Sequence, residues 1–143
     1  VFDLKSNYEL AFFIPLIAAM AGNVGVQSAA IIVQSIANNS LKSDETFSRL
    51  FKEFKVGILN GLICSAIIFG LTFVFGYRHN ICITVSISLF SVILFAALFG
   101  TLTPLILNKY KIDPALATGP FITTFNDIIG LIIYFSIGQT FLS

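Results

Sequence analysis

One acidic residue, Asp127, lies in a long apolar stretch that contains no Lys or Arg. A carboxylate at the centre of a bilayer costs roughly 2.5–3.5 kcal/mol on insertion scales, so its presence there requires a reason. Either it faces a water-filled path, or it is a protonated acid that is hydrogen-bonded between helices. Carboxylate oxygens are hard ligands that suit Mg²⁺ or Ca²⁺ better than Zn²⁺ or Cu²⁺. We therefore expect a proton or cation site at Asp127.

Small and polar residues accompany Asp127 at helical spacing. Residues three and four apart share one face of a helix. This face would carry Pro120, Thr123, Asp127, Gly130 and Tyr134, with Thr124 and Asn126 beside it. Proline has no N–H, so a carbonyl one turn before Pro120 is expected to lose its helical partner. Such a carbonyl is tolerated at membrane depth where it lines water or ions. The face therefore predicts neutral oxygen ligands around one anionic group.

A second polar stripe lies in the first long apolar stretch of the chain. Its members share one helical face, and they are Pro15, Ala19, Asn23, Gln27, Ala30 and Gln34, with Gly22 and Gly25 next to them. Amide side chains also hydrogen-bond between membrane helices, where each contact contributes about 0.6–2 kcal/mol. Together with the Asp127 face, however, the stripe favours a shared aqueous path.

Charge is rare and unevenly placed in this chain of 143 residues, of which 57% are hydrophobic. Only 10% are charged, against about 25% in soluble domains. The uncharged runs are long enough to cross a bilayer as helices, which needs about 20 residues, and they do not alternate as barrel strands do. We predict an all-α, polytopic transmembrane helical bundle with four spans: A, residues 10–37; B, residues 56–77; C, residues 81–107; and D, residues 114–142. Kinks at Pro15, Pro104 and Pro120 would absorb the excess length of spans A, C and D.

Basic residues in the connections predict the orientation. The A–B and C–D connections carry six of the eight Lys and Arg residues, and cytoplasmic loops are enriched in these residues. We expect both connections in the cytoplasm, both ends of the chain outside, and the protein in the cell (plasma) membrane. Residues 45–55 predict a short amphipathic surface helix. Because no signal peptide is visible, an outside N-terminus predicts a preceding span.

The pair Asp113-Pro114 begins span D. Asp is a good N-cap and Pro a good first helical residue, so a helix start explains both. The alternative is that Asp113 recruits cations at the cytoplasmic mouth of a path.

Other classes of function have little support. The net charge of +1 provides no basic surface for nucleic acid. The one His and two Cys form no cluster at metal-ligand spacing. No nucleophile–base arrangement and no nucleotide loop is visible, so we predict no enzyme activity.

Two motifs resemble those of the MgtE family of magnesium transporters and channels. Span A contains Pro15-Leu16 and then Ala21-Gly22-Asn23-Val24-Gly25-Val26-Gln27-Ser28, which is similar to the family's P…G-N-x-G-x-Q-S. Span D contains DPALATGPFITTFNDIIG, from Asp113 to Gly130, which is similar to D-P-A-x-x-x-x-P-F-x-x-T-x-x-D-x-x-G. The resemblance covers the chain from Pro15 to its C-terminus.

This resemblance implies a homodimer with five membrane helices per subunit and a Mg²⁺-conducting pore between subunits. Spans A to D would be the last four helices, with the first helix and the cytosolic regulatory domains apparently absent. Asp127 would be the central Mg²⁺-site acid, and Thr123 would offer its backbone carbonyl. The residues expected to line the pore are Asn23, Gln27, Gly22, Thr124, Asn126, Gly130 and Pro120.

The sequence thus predicts a pore domain that conducts hydrated Mg²⁺ down its electrochemical gradient. Mg²⁺ would be both the transported ion and a ligand, with other divalent cations as further candidates. Membrane lipid and a second copy of the chain are the expected partners, because a two-fold axis would bring two Asp127 carboxylates together. Two alternatives stay open: a proton-coupled divalent-cation secondary transporter, and a non-transporting membrane scaffold.

Overall fold

The computed structural model describes residues 8–40 and 45–142. Within these ranges every regular element is helical: two short 3₁₀ helices, Tyr8–Phe13 and Pro114–Thr118, and four long helices, α1 (Ile14–Ala37), α2 (Thr46–Val74), α3 (His79–Lys109) and α4 (Pro120–Leu142). Each long helix is apolar enough to cross a membrane, α1 together with the 3₁₀ helix before it. The predicted all-α, polytopic bundle with four membrane helices is confirmed.

Helix α3 lies at the centre of the bundle. It packs against α1, α2 and α4, whereas α1 and α2 make little direct contact with each other in the described part of the chain. The apolar side of α3 supplies much of the core, including Val85, Leu89, Val92 and Ile93. Helix α2 is the most exposed of the four and buries its small residues Gly57 and Gly61 against α3. A shallow cleft therefore separates α1 from α2 above the surface of α3.

Helices α1 and α4 run antiparallel along a close seam. At one end of the seam, the Tyr134 hydroxyl donates a hydrogen bond to the carbonyl oxygen of Leu10 over 2.8 Å. Further along, a Cβ built at Gly130 would lie 3.2 Å from the Cβ of Ala21. This close approach brings the two polar faces predicted from the sequence into one neighbourhood.

The N-terminal 3₁₀ helix and the α2–α3 connection lie at the same end of the bundle. Arg78 in this connection forms an ion pair with Glu9 at 3.2 Å, and the rings of Phe13 and Tyr77 pack edge to face at 5.3 Å. The α1–α2 and α3–α4 connections therefore share the opposite end, as alternating spans require.

Helix α2 begins earlier than span B. It starts at Thr46 and continues without a break to Val74, so residues 46–55 form its first turns and not a separate surface helix. These turns still have two different sides. The apolar side chains of Phe47 and Phe51 are exposed on one side, whereas the acidic side chain of Glu53 is buried.

Span D is divided into two helices. The 3₁₀ helix Pro114–Thr118 ends at Gly119, whose backbone is extended (φ −112°, ψ −153°), and α4 starts afresh at Pro120. Span D is therefore interrupted next to Pro120, as a break between two helices and not as a bend within one, because proline is a favourable first helical residue. Similarly, Pro15 lies at the start of α1, while Pro104 lies inside α3.

Candidate functional site

The Asp127 side chain lies against the α1 backbone at Gly22. A Cβ built at Gly22 would be 3.3 Å from Asp127 Oδ1 and 3.6 Å from Thr123 Cγ2. The absence of a side chain at Gly22 therefore lets α4 present both residues close to α1. The Asp127 side chain is partly exposed, and within residues 8–40 and 45–142 it has no hydrogen bond or ion pair.

The polar stripe of α1 lies beside this carboxylate. All six of its members, Pro15, Ala19, Asn23, Gln27, Ala30 and Gln34, are exposed, and we call this surface the α1 strip. Asn23 directly follows Gly22, so it occupies the same helical turn that faces Asp127. The turn of α1 that carries the exposed Asn23 amide thus lies beside the Asp127 carboxylate.

The other predicted residues of early α4 have different surroundings. The Thr123 hydroxyl donates a hydrogen bond to the Pro120 carbonyl over 3.0 Å. Pro120 and Thr124 are exposed, and they line a largely apolar groove with Phe121, Phe125 and Ile128. The neighbours of Thr124 in this groove are therefore apolar.

Asn126 and Gly130 are buried within the helix bundle. Asn126 is 0% exposed, and a Cβ at Gly25 would overlap its side-chain amide. Neither its Oδ1 nor its Nδ2 has a hydrogen-bond partner among the described residues. Gly130 faces Ala21 and Val92. These two positions do not share the exposed face of Asp127 and Asn23, although both were expected to line a pore.

Asp113 caps the 3₁₀ helix that precedes α4. Its Oδ1 accepts a hydrogen bond from the Ala115 backbone N–H over 2.9 Å, and its side chain is exposed. The carboxylate therefore has a local structural role, which leaves its predicted role at a cytoplasmic mouth as a separate prediction.

Glu53 is an acidic residue that lies outside both sequence motifs and both predicted polar faces. It lies between Lys52 and Lys55 in a run of charges, which suggests a solvated segment. In the structure it is only 8% exposed. Its spacing from Gly57 and Asn60, at i+4 and i+7, is the helical signal that could have placed it on an inward face.

The donor set suits a hydrated cation. Among the described residues, no three His, Cys, Asp or Glu side chains come together. Mg²⁺ usually retains several waters and is held through one or two carboxylates. Asp127 can supply the charge, while nearby amide and carbonyl oxygens can accept hydrogen bonds from bound waters.

Comparisons with known proteins agree with the motifs in α1 and α4. The MgtE family, described as divalent cation transporters, matches residues 14–137. The chain is 37% identical over 139 residues to the magnesium transporter MgtE of Bacillus subtilis, an alignment that covers 97% of this chain and 31% of that protein.

Two further magnesium transporters named MgtE are similar. The protein of Thermus thermophilus is 34% identical over 139 residues, covering 97% of this chain and 31% of the relative. The protein of Enterococcus faecalis is 36% identical over 149 residues, covering 98% of this chain and 33% of the relative. The chain thus spans about a third of the length of each relative, and their names agree with the prediction of no enzyme activity. The sequence of the chain thus places it in the MgtE family, which is described as divalent cation transporters.

Proposed function

We propose that this chain forms the ion-conducting part of a magnesium transporter of the plasma membrane, in which hydrated Mg²⁺ passes Asp127 between two copies of the chain. One observation supports this most strongly. The Asp127 carboxylate is partly exposed beside the polar α1 strip and has no cationic partner among the described residues. An acid that served only to join helices would be expected to carry a hydrogen-bond partner within the bundle.

The proposed second copy completes the charge balance. One carboxylate carries a single negative charge, whereas Mg²⁺ carries two positive charges. A two-fold axis next to the α1 strip would place two copies of Asp127 around one path, because a two-fold interface uses the same surface on both subunits. Asn23 and the Thr123 carbonyl would then accept hydrogen bonds from waters of the ion.

Passage down the electrochemical gradient needs no further energy source. An inside-negative potential contributes about 2.3 kcal/mol per charge per 100 mV, and thus about 4.6 kcal/mol for a divalent ion. Holding the ion through its waters keeps the site weak enough for release, because conduction requires exit as well as binding. We place the α1–α2 and α3–α4 connections in the cytoplasm, with Asp113 near that mouth.

The decisive experiment measures Mg²⁺ uptake by the full-length protein with Asp127→Ala in proteoliposomes. We expect uptake to fall to the level of empty vesicles, because neutral residues cannot offset the charge of the ion. Glu45→Ala serves as a control, because it removes an exposed carboxylate at the start of α2 that has no part in the proposed path. Uptake equal to wild type for Asp127→Ala, at equal protein content, would sink the proposal.

The same vesicles separate the alternatives. A proton-coupled transporter requires a pH gradient, whereas a channel conducts Mg²⁺ without one. A scaffold would show no specific Mg²⁺ flux in the wild-type protein, and Asp127→Asn would leave its assembly unchanged.

A further inference from the structure

A pocket of about 250 Å³ with a mixed polar and apolar lining lies in the cleft between α1 and α2, with α3 behind it. Its polar lining consists of Gln27 and Ser28 from α1 and of Glu53 and Asn60 from α2, and Ala97 of α3 contributes to its apolar lining. Because α1 and α2 pack on α3 without closing on each other, the pocket follows from the helix arrangement.

The carboxylate of Glu53 is the unusual member of this lining. Glu53 is 8% exposed, and in the part of the chain that the structure describes it has neither a hydrogen bond nor an ion pair. Lys and Arg are absent from the described residues that line the pocket. The carboxylate oxygens of Glu53 are not among the fully enclosed polar atoms of the described residues, so the negative charge of this largely buried side chain opens into the pocket, where a bound cation would neutralise it.

The remaining polar groups are neutral and can act as acceptors. The Asn60 Oδ1 lies 3.5 Å from the Cys64 thiol, which donates to it, and the amide of Gln27 and the hydroxyl of Ser28 complete the set. Asn60 lies two helical turns from Glu53, about 10 Å along α2. One charge with several neutral oxygens is the donor set that a hydrated divalent cation accepts.

The size of the pocket agrees with such a ligand. A hexahydrated ion occupies about 180 Å³, if each of its six waters takes up the roughly 30 Å³ that it fills in the liquid. The pocket of about 250 Å³ can therefore contain the ion without loss of its waters.

The pocket borders the α1 strip on the side opposite to Asp127. Gln27 belongs to the strip and also lines the pocket, whereas Gly22, at the other border, contacts Asp127. Gln27 is one turn beyond Asn23, toward the α1–α2 connection. The two carboxylates thus lie on either side of one continuous polar surface.

We propose that this pocket is a second site for a hydrated divalent cation, in which Glu53 supplies the charge and Gln27, Ser28 and Asn60 accept hydrogen bonds from bound waters. The inference rests on the proposed function and extends it, because ions would pass between the Asp127 site and the Glu53 site along the α1 strip. A cation in the pocket would neutralise the negative charge that the largely buried Glu53 side chain carries.

Equilibrium binding of Mn²⁺ alone, measured by electron paramagnetic resonance on the full-length protein in detergent, tests this site. Four proteins are compared: wild type, Glu53→Gln, Asp127→Asn and the double variant. Glu45→Gln is the matched control, because Glu45 is an exposed carboxylate two turns earlier at the start of α2. We expect Glu53→Gln to lose one Mn²⁺ per subunit, or to bind it at least tenfold more weakly, in both the wild-type and the Asp127→Asn background.

The possible outcomes distinguish the two sites. Loss in Asp127→Asn alone, with wild-type binding by Glu53→Gln, overturns the second site and leaves the proposed function standing. Loss in Glu53→Gln alone supports the second site and counts against Asp127. Equal loss in Glu45→Gln overturns the inference, because the effect would then follow from surface charge. If Glu53→Gln fails to fold, Asn60→Leu keeps the carboxylate and decides instead: binding weakened threefold or more supports the site, and unchanged binding overturns it.

Discussion

The backbone of Gly100 in α3 lies directly against the carbonyl oxygen of Gly25 in α1, and a Cβ at Gly100 would overlap that oxygen. On the other side of α1, Gly25 also makes room for the buried amide of Asn126. A single α1 glycine thus sets the distance of α1 from both α3 and α4. The geometry around Asp127 depends on this packing, because Gly22 is less than one turn away.

Gly100→Ala should destabilise the bundle. The added methyl group meets backbone and not a movable side chain, so we expect a loss near the upper end of the roughly 1–3 kcal/mol typical of overpacking. Thermal unfolding in detergent measures it. Gly70→Ala is the control, because a Cβ at this exposed helical position meets nothing within 4 Å; it should be neutral or stabilise by up to about 1 kcal/mol. Equal melting temperatures for both variants would contradict the close contact.

Gly22→Ala should affect transport more than stability. Its Cβ would lie 3.3 Å from Asp127 Oδ1, so the carboxylate must shift by a few tenths of an ångström while the helices keep their packing. We expect Mg²⁺ uptake by the full-length protein to fall several-fold, with a change in unfolding free energy below about 1 kcal/mol. Gly70→Ala again provides the reference and should transport normally. Unimpaired uptake by Gly22→Ala would argue against a precise position for the Asp127 carboxylate.

Tyr134→Phe should weaken the end of the α1–α4 seam. The change removes the 2.8 Å hydrogen bond to the Leu10 carbonyl, and a hydrogen bond of this kind contributes about 0.5–1.5 kcal/mol to stability. Thermal unfolding in detergent measures the loss. Tyr110→Phe is the control, because Tyr110 is 70% exposed and should tolerate the change. A melting temperature equal to that of Tyr110→Phe would show that this hydrogen bond contributes nothing.

Much of the fold was predictable because hydrophobic periodicity and charge placement depend on local sequence. The four apolar runs became four helices, and every residue predicted in the α1 stripe is exposed. The i, i+4 pattern orients a single helix well. It could not show that α3 is the central helix, because that depends on which faces pack together.

The candidate site was only partly predictable for the same reason. Asp127 and Asn23 were chosen from their residue types, and the structure brings their turns together. Asn126 follows the same polar pattern but is buried against Gly25, a contact between residues a hundred positions apart. Glu53 was not predicted, because its charged neighbours Lys52 and Lys55 indicate a solvated segment. Only the continuity of α2 from Thr46 into the span shows that Glu53 lies on an inward face.

The break at Gly119 determines the depth of Asp127. Counted over span D the acid is central, but counted along α4 it lies seven residues after Pro120 and fifteen before Leu142. At 1.5 Å per residue these are about 10 Å and 22 Å. If α4 crosses the membrane electric field from end to end, an ion held by Asp127 has traversed about a third of the voltage from one side and two thirds from the other. Cations arriving from the two compartments would therefore meet the same carboxylate with unequal dependence on membrane potential.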